Sequence, residues 1–117
     1  MVSKSANYCF TSRSSPTGVL MLCDVALGKQ FELLQAEYRA ASAAAKKGQD
    51  SVWGRGATGP DPKGTVSHPG DPALKVPMGR GAPTGVKRSA LLYNEYVVYD
   101  TRQIKQKYVL KVHFKHR

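Results

Sequence analysis

L-L-Y-N-E-Y-V-V-Y-D, Leu91 to Asp100, is the stretch from which the other 107 residues of this 117-residue chain are best read. Val, Tyr and Leu at this density, with no Gly or Pro, predict a β-strand. Side chains alternate across a strand, so Leu91, Tyr93, Glu95, Val97 and Tyr99 share one face, and Leu92, Asn94, Tyr96 and Val98 the other. Neither face is polar, which predicts a strand covered on both sides. Glu95 is then the odd residue. A carboxylate in such surroundings is costly to ionise without a partner, and such groups gather at functional sites. The competing reading is a Glu near a strand end, solvated or paired with a Lys.

Working outward, Tyr108 to Phe114 alternates as a second strand, with Tyr108, Leu110, Val112 and Phe114 on a buried face and Lys111 and His113 on a polar one. Thr101 to Lys105 between them reads as a turn or short helix. Gly18 to Leu27, G-V-L-M-L-C-D-V-A-L, is the most hydrophobic run and predicts a central strand ended by Gly28, with Asp24 as a second buried acid. Glu32 to Lys47, rich in Ala, Leu, Glu and Gln and followed by Gly48, predicts a surface helix. Gly54 to Gly85 holds eight of the 11 glycines and six of the seven prolines, so loops with short strands are expected. Within it, Gly54-Arg55-Gly56 and Gly59 to Thr65 do not make a phosphate loop, which needs a Lys after its second Gly. His68 reads as a loop residue. Met1 to Phe10 suits a short helix that projects Ser5 and Tyr8 from one face.

Length allows one domain with a modest core. Two cysteines, Cys9 and Cys23, without a C-x-x-C, fit free thiols in a reducing compartment and no metal site. No run approaches the roughly 18 apolar residues of a membrane helix, and no signal peptide is recognisable. The formal charge of +10 raises the prospect of a polyanionic partner, but its Lys and Arg runs never exceed pairs. No Ser-His-Asp or Cys-His set follows from spacing. Residue chemistry alone therefore gives an α+β domain with one suspect carboxylate, in a setting that suits a flat aromatic or cationic ligand.

M-V-S-K-S-A-N-Y-C at Met1 to Cys9, D-V-A-L-G at Asp24 to Gly28, P-D-P at Pro60 to Pro62 and L-L-Y-N-E-Y-V-V-Y-D at Leu91 to Asp100 occur in an order that resembles the C-terminal half of a poly(ADP-ribose) polymerase catalytic domain. The likeness is to the nuclear, DNA-damage-dependent branch and runs over nearly the whole chain, 1–117, as a partial catalytic domain. It is poor over Glu32 to Lys47 and Ser67 to Arg88. It implies an ADP-ribosyltransferase split β-sheet core, incomplete because the N-terminal half of the domain is absent. It also implies transfer of ADP-ribose from NAD+, a substrate, to protein acceptors or a growing poly(ADP-ribose) chain, without a metal.

By the same resemblance Glu95 is the catalytic carboxylate, Ser5 binds the nicotinamide carboxamide, and Tyr8 stacks on the nicotinamide ring. Lys4 and Tyr93 fall on the acceptor side. The family's His-Gly pair and its first stacking Tyr precede the residue matching Met1, so one member of the His-Tyr-Glu trio is present. Strand partners are missing with them, which predicts unpaired edges, a half-made core and little NAD+ binding by this chain alone. Nuclear localisation, no membrane, and DNA contact only through modules outside this chain complete the expectation. The alternative is a non-catalytic basic protein that binds nucleic acid or poly(ADP-ribose).

Overall fold

A computed structural model describes residues 2–116. Met1, which opens the predicted first helix, and Arg117, which ends the basic tail, lie outside the described residues. Helix α1 (Val2–Ala6) runs into a 3-10 turn at Asn7–Cys9. There follow β1 (Thr17–Val25), β2 (Gln30–Leu33), α2 (Ala40–Lys46) and β3 (Ser51–Gly54). The Gly/Pro-rich middle supplies four short strands: β4 (Thr58–Pro60), β5 (Thr65–His68), β6 (Asp71–Pro77) and β7 (Gly81–Pro83). The chain ends with β8 (Glu95–Val98), a 3-10 turn at Thr101–Gln103, and β9 (Ile104–His113). The architecture is α+β with small, incomplete sheets.

Three strands in the order β2-β3-β8 form the sheet that carries Glu95. β2 runs parallel to β3, with Glu32 beside Trp53, and β8 runs antiparallel to β3, with Glu95 beside Gly54. Alternation sends Phe31, Leu33 and Val52 to one face, where Ala40 and Ala44 of α2 close on them as the buried core. Small alanines let the helix approach the sheet closely. α2 stops where Gly48 turns left-handed (φ 63°), and the Lys47, Gly48 and Gln49 amides donate to carbonyls of its last turn. Gly28 (φ 55°) likewise ends the run after β1. The Lys29 amide then donates to Asp50 Oδ2 at 2.7 Å, which lays β2 beside β3.

Several sequence expectations need correction. The predicted helix over Glu32 to Lys47 is cut to Ala40–Lys46, because Glu32 and Leu33 are taken into β2 by pairing with β3. Tertiary hydrogen bonding there outweighs helix propensity, which differs by only tenths of a kcal/mol per residue. The Leu91 strand shrinks to Glu95–Val98. Upstream of it, the Leu91 and Leu92 carbonyls accept from the Ala57 and Thr58 amides, and Tyr93 makes an isolated parallel bridge to Thr58. Nor is β8 covered on both sides: Tyr96 and Val97 are exposed.

The Gly18 run is a strand, but not a central one. Among the described residues β1 pairs only with β9, in a two-stranded antiparallel ribbon. The face expected to bury Tyr108 and Leu110 is open, and both are exposed. Asp24 is half-buried and ion-paired with Lys107 Nζ at 3.1 Å. A register shift between Leu22 and Cys23 leaves Lys107 unpaired in the ladder, and this swaps the faces of β9 on either side of it. Lys105 and Lys107 consequently fall on Asp24's side, while Gln106 reaches Met21 on the opposite face. Cys9 and Cys23 are free thiols, as expected.

Candidate active site

Glu95 opens β8 and faces the α2 side of the sheet. Gly54 lies directly across from it, and a Cβ there would sit 2.7 Å from Leu91 Cδ1. Two residues on, a Cβ at Gly56 would collide with the backbone of Tyr93 and Asn94. The Gly56 amide instead donates to Asn94 Oδ1 at 2.9 Å, and Ser89 Oγ ties the Arg55 carbonyl to this segment at 2.6 Å. Gly54-Arg55-Gly56 is therefore the platform against which Leu91 to Glu95 is laid. Alternate glycines entering or leaving a strand are the available signal for such close backbone approach.

Lys4 of α1 reaches Glu95 across 91 positions of sequence: its Nζ donates to Oε1 at 2.6 Å. Each side chain is 35% exposed, so the pair sits at the rim rather than in the interior. The hydrogen bond to Glu95 raises the Lys4 ammonium above its ordinary 10.5, against a smaller opposing effect of burial. Lys4 therefore stays protonated at every physiological pH and holds the carboxylate in place. Tyr8, one helical turn on, brings its ring centroid within 6.0 Å of Lys4 Nζ. Lys4, Tyr8 and Glu95 are thus brought together. Ser5 lies exposed beside them on α1, and its hydroxyl makes no hydrogen bond to the described residues. Tyr93 is half-buried on the loop leading into Glu95, held by its bridge to Thr58.

On its other flank Glu95 lines a cleft of about 210 Å³ with Leu33, Ala40, Val52, Leu91, Val97 and Tyr99. The alternation of Leu91, Glu95, Val97 and Tyr99 read from sequence is the alternation that lines this cleft. The opposite face carries Tyr96, whose ring stacks on Trp53 at 5.8 Å, and burial raises its hydroxyl above the ordinary 10.0. Strand β8 therefore separates a carboxylate-bearing apolar cleft from an aromatic layer.

The poly(ADP-ribose) polymerase catalytic domain model matches residues 1–114. The chain belongs to this family. It is 46% identical to poly [ADP-ribose] polymerase 1 of Gallus gallus and 45% identical to that of Danio rerio, over all 117 residues in each case. It is also 46% identical to poly [ADP-ribose] polymerase 2-A of Oryza sativa subsp. japonica, over 97% of its length. The chain spans 11% of the first two proteins and 17% of the third. As a family member its blocks at Met1–Cys9 and Leu91–Asp100 are the two that the Lys4–Glu95 contact joins. The competing sequence reading of Glu95, a carboxylate near a strand end paired with a Lys, is the one the structure shows, with Lys4 as the partner that spacing could not name.

Proposed function

We propose that this chain carries the carboxylate-bearing wall of an NAD+ ADP-ribosyltransferase site, with Glu95 as the catalytic group. The observation that supports this most directly is the 2.6 Å contact between Lys4 and Glu95. It places the element bearing Ser5 and Tyr8 against the strand bearing the acid. Tyr8 is 66% exposed, so its ring is free to stack on a nicotinamide, and the exposed Ser5 hydroxyl is free to donate to a carboxamide oxygen. NAD+ enters as a substrate, and the residues present fit its nicotinamide end.

In the transfer, the bond between ribose C1′ and the nicotinamide nitrogen breaks, and its electron pair neutralises the pyridinium. Positive charge develops on the ribose ring. Glu95 accepts from the ribose 2′-hydroxyl and stabilises that charge, as carboxylates do at other glycosyl centres. It then orients the acceptor hydroxyl, of a protein or of a growing poly(ADP-ribose) chain, for attack at C1′. Lys4 and Tyr93 sit on the acceptor side; Lys4 fixes the carboxylate by its ion pair. Nuclear action on protein acceptors, with DNA sensed through other modules, belongs to the same proposal.

Residues 1–117 alone should not turn over NAD+. Tyr8 and Ser5 are exposed to solvent, and the Lys4–Glu95 pair beside them lies at the rim. Water-filled surroundings weaken every electrostatic contribution to catalysis. Incubation with labelled NAD+ should give no incorporation into the 117-residue chain. In the enzyme form that does turn over NAD+, Glu95→Gln should lower transfer by roughly a hundredfold or more, the scale of losing one preorganised electrostatic group. Unchanged transfer in Glu95→Gln enzyme would remove Glu95 from the chemistry. Incorporation by the isolated chain that depends on Glu95 would instead show that one wall suffices.

A further inference from the structure

The carboxylates of this chain are unevenly placed. None occurs in residues 1–23 or 101–117, and these 40 residues hold eight of the 18 Lys and Arg. They therefore account for +8 of the formal +10. Strands β1 and β9 draw the two segments together, with Thr17 against His113 and Val19 against Lys111. The structure then sorts their cations. Lys4 is neutralised by Glu95, Lys107 by Asp24, and Arg102 by Asp100. Among the described residues of the two segments, Arg13, Lys105, Lys111 and Lys115 have no carboxylate ion pair; Arg13, Lys111 and Lys115 lie toward one end of the ribbon, and Lys105, opposite Asp24 in the ladder, toward the other.

At that end Arg13, Pro16, His113, Phe114, Lys115 and His116 line a shallow cleft of about 640 Å³. The Phe114 amide donates to the Pro16 carbonyl at 2.8 Å, which fixes the β9 end beside the serine-rich loop carrying Arg13. The Phe114 ring, half-buried, rests near Gly18 and Cys9 and lines the same cleft as Arg13 and Lys115. Lys111 and His113 share one face of β9, and Lys115 follows just after the strand ends at His113.

We infer that this end of the β1-β9 ribbon binds single-stranded nucleic acid, with Arg13, Lys111 and Lys115 on its phosphates and Phe114 beneath a base. Unneutralised cations spaced along a strand attract a phosphodiester backbone by releasing its counterions. An aromatic ring among them favours a single strand, whose unpaired bases offer a stacking face. A duplex is read through its grooves by a protruding helix or ribbon, and the shallow cleft offers no such projection. The inference does not rest on Glu95 being catalytic.

Fluorescence anisotropy of a labelled oligodeoxyadenylate over a salt series, with the whole 117-residue chain, tests it. Binding should weaken linearly on a double-logarithmic plot, and the slope should fall by about 0.7 for each cation removed. Arg13→Glu with Lys115→Glu should lower affinity by roughly tenfold or more at low salt, since two phosphate contacts become repulsions. Arg13→Gln with Lys115→Gln should show the same loss of slope with a smaller loss of affinity. Lys46→Glu with Lys63→Glu changes net charge equally far from the cleft and should leave the slope unchanged. Circular dichroism identical to wild type keeps each variant interpretable. Equal losses in the near and far pairs, no binding by the wild-type chain, or tighter binding of duplex DNA or poly(ADP-ribose) than of the oligonucleotide would overturn the inference.

Discussion

The β2-β3-β8 sheet and the β1-β9 ribbon are built from similarly apolar strands, yet one holds what core the chain has and the other is open. Val52 is buried beneath Ala40 and Ala44, whereas Met21 and Val109 of the ribbon are 61% and 68% exposed. The difference is a matter of partners. β3 has a strand on each side and a helix across one face; β1 has β9 alone. Burial, not composition, converts an apolar side chain into stability, at about 25 cal/mol per Å² removed from water. Glu95 sits on the partnered side of this contrast, in β8 opposite Gly54.

Gly56 tests the contrast most severely. Its Cα hydrogen faces the Tyr93–Asn94 peptide with no room for a Cβ. Gly56→Val should destabilise the chain by about 3 kcal/mol or more, because the clash is with backbone that cannot rotate away. Urea unfolding followed by the single Trp53 reports on this sheet directly, since Trp53 is in β3. A loss under 1 kcal/mol would show that Leu91 to Glu95 is not pinned by the glycine platform.

Val52→Ala comes next, at about 2 kcal/mol for two buried methyl-sized groups and the cavity they leave. The same unfolding measurement checks it. A near-zero effect would put the core elsewhere than under α2.

How much of this was legible in the sequence follows the same division. Periods read correctly where neighbours in space are also near neighbours in pattern. Thus Glu95, Val97 and Tyr99 share a face, the Gly54 to Gly85 segment contains only short strands, and the Gly18 run is extended. The reading failed where a distant segment decided the outcome. Glu32 and Leu33 carry helix-forming character but lie against Trp53 and Gly54 in a parallel pair. Leu91 and Leu92 have strand composition, yet the Ala57 and Thr58 amides hold their carbonyls in a bridge. β9 also begins before Tyr108, and its faces are swapped at one unpaired residue, Lys107, that no local pattern announces. For the site, family resemblance implied roles for Ser5, Tyr8 and Glu95, while residue chemistry alone reached a suspect acid and, as its competing reading, a strand-end Glu paired with a Lys, which is the pairing Lys4 makes.

The Lys4–Glu95 pair gives a smaller and pH-specific effect. Glu95 raises the Lys4 ammonium above 10.5, so the stability that this shift contributes is present below the ordinary value and is lost as pH rises through the higher folded-state pKa. Between pH 6 and 9 the contact should consequently be insensitive to pH. Following the Lys4 side-chain resonances by NMR, Glu95→Gln should move the titration midpoint back toward the ordinary value. An unchanged midpoint would mean that the two groups do not meet in solution.

The ribbon supplies the smallest expected effect, and the comparison stands or falls on its being small. Val109 lies on an exposed face of β9, opposite Met21 of β1. Val109→Thr keeps the β-branched shape that suits a strand and adds a hydroxyl that water can satisfy. In the 117-residue chain this should change stability by no more than about 0.5 kcal/mol, as exposed substitutions do. The same change in a setting where a further strand or sheet covers β9 would bury an unpartnered hydroxyl and cost about 1–3 kcal/mol. A large loss in the 117-residue chain itself would therefore reveal that the ribbon is already covered in solution, by a second copy or by its own strands. The apolar character of β1 and β9 would then be as fully used as that of β3.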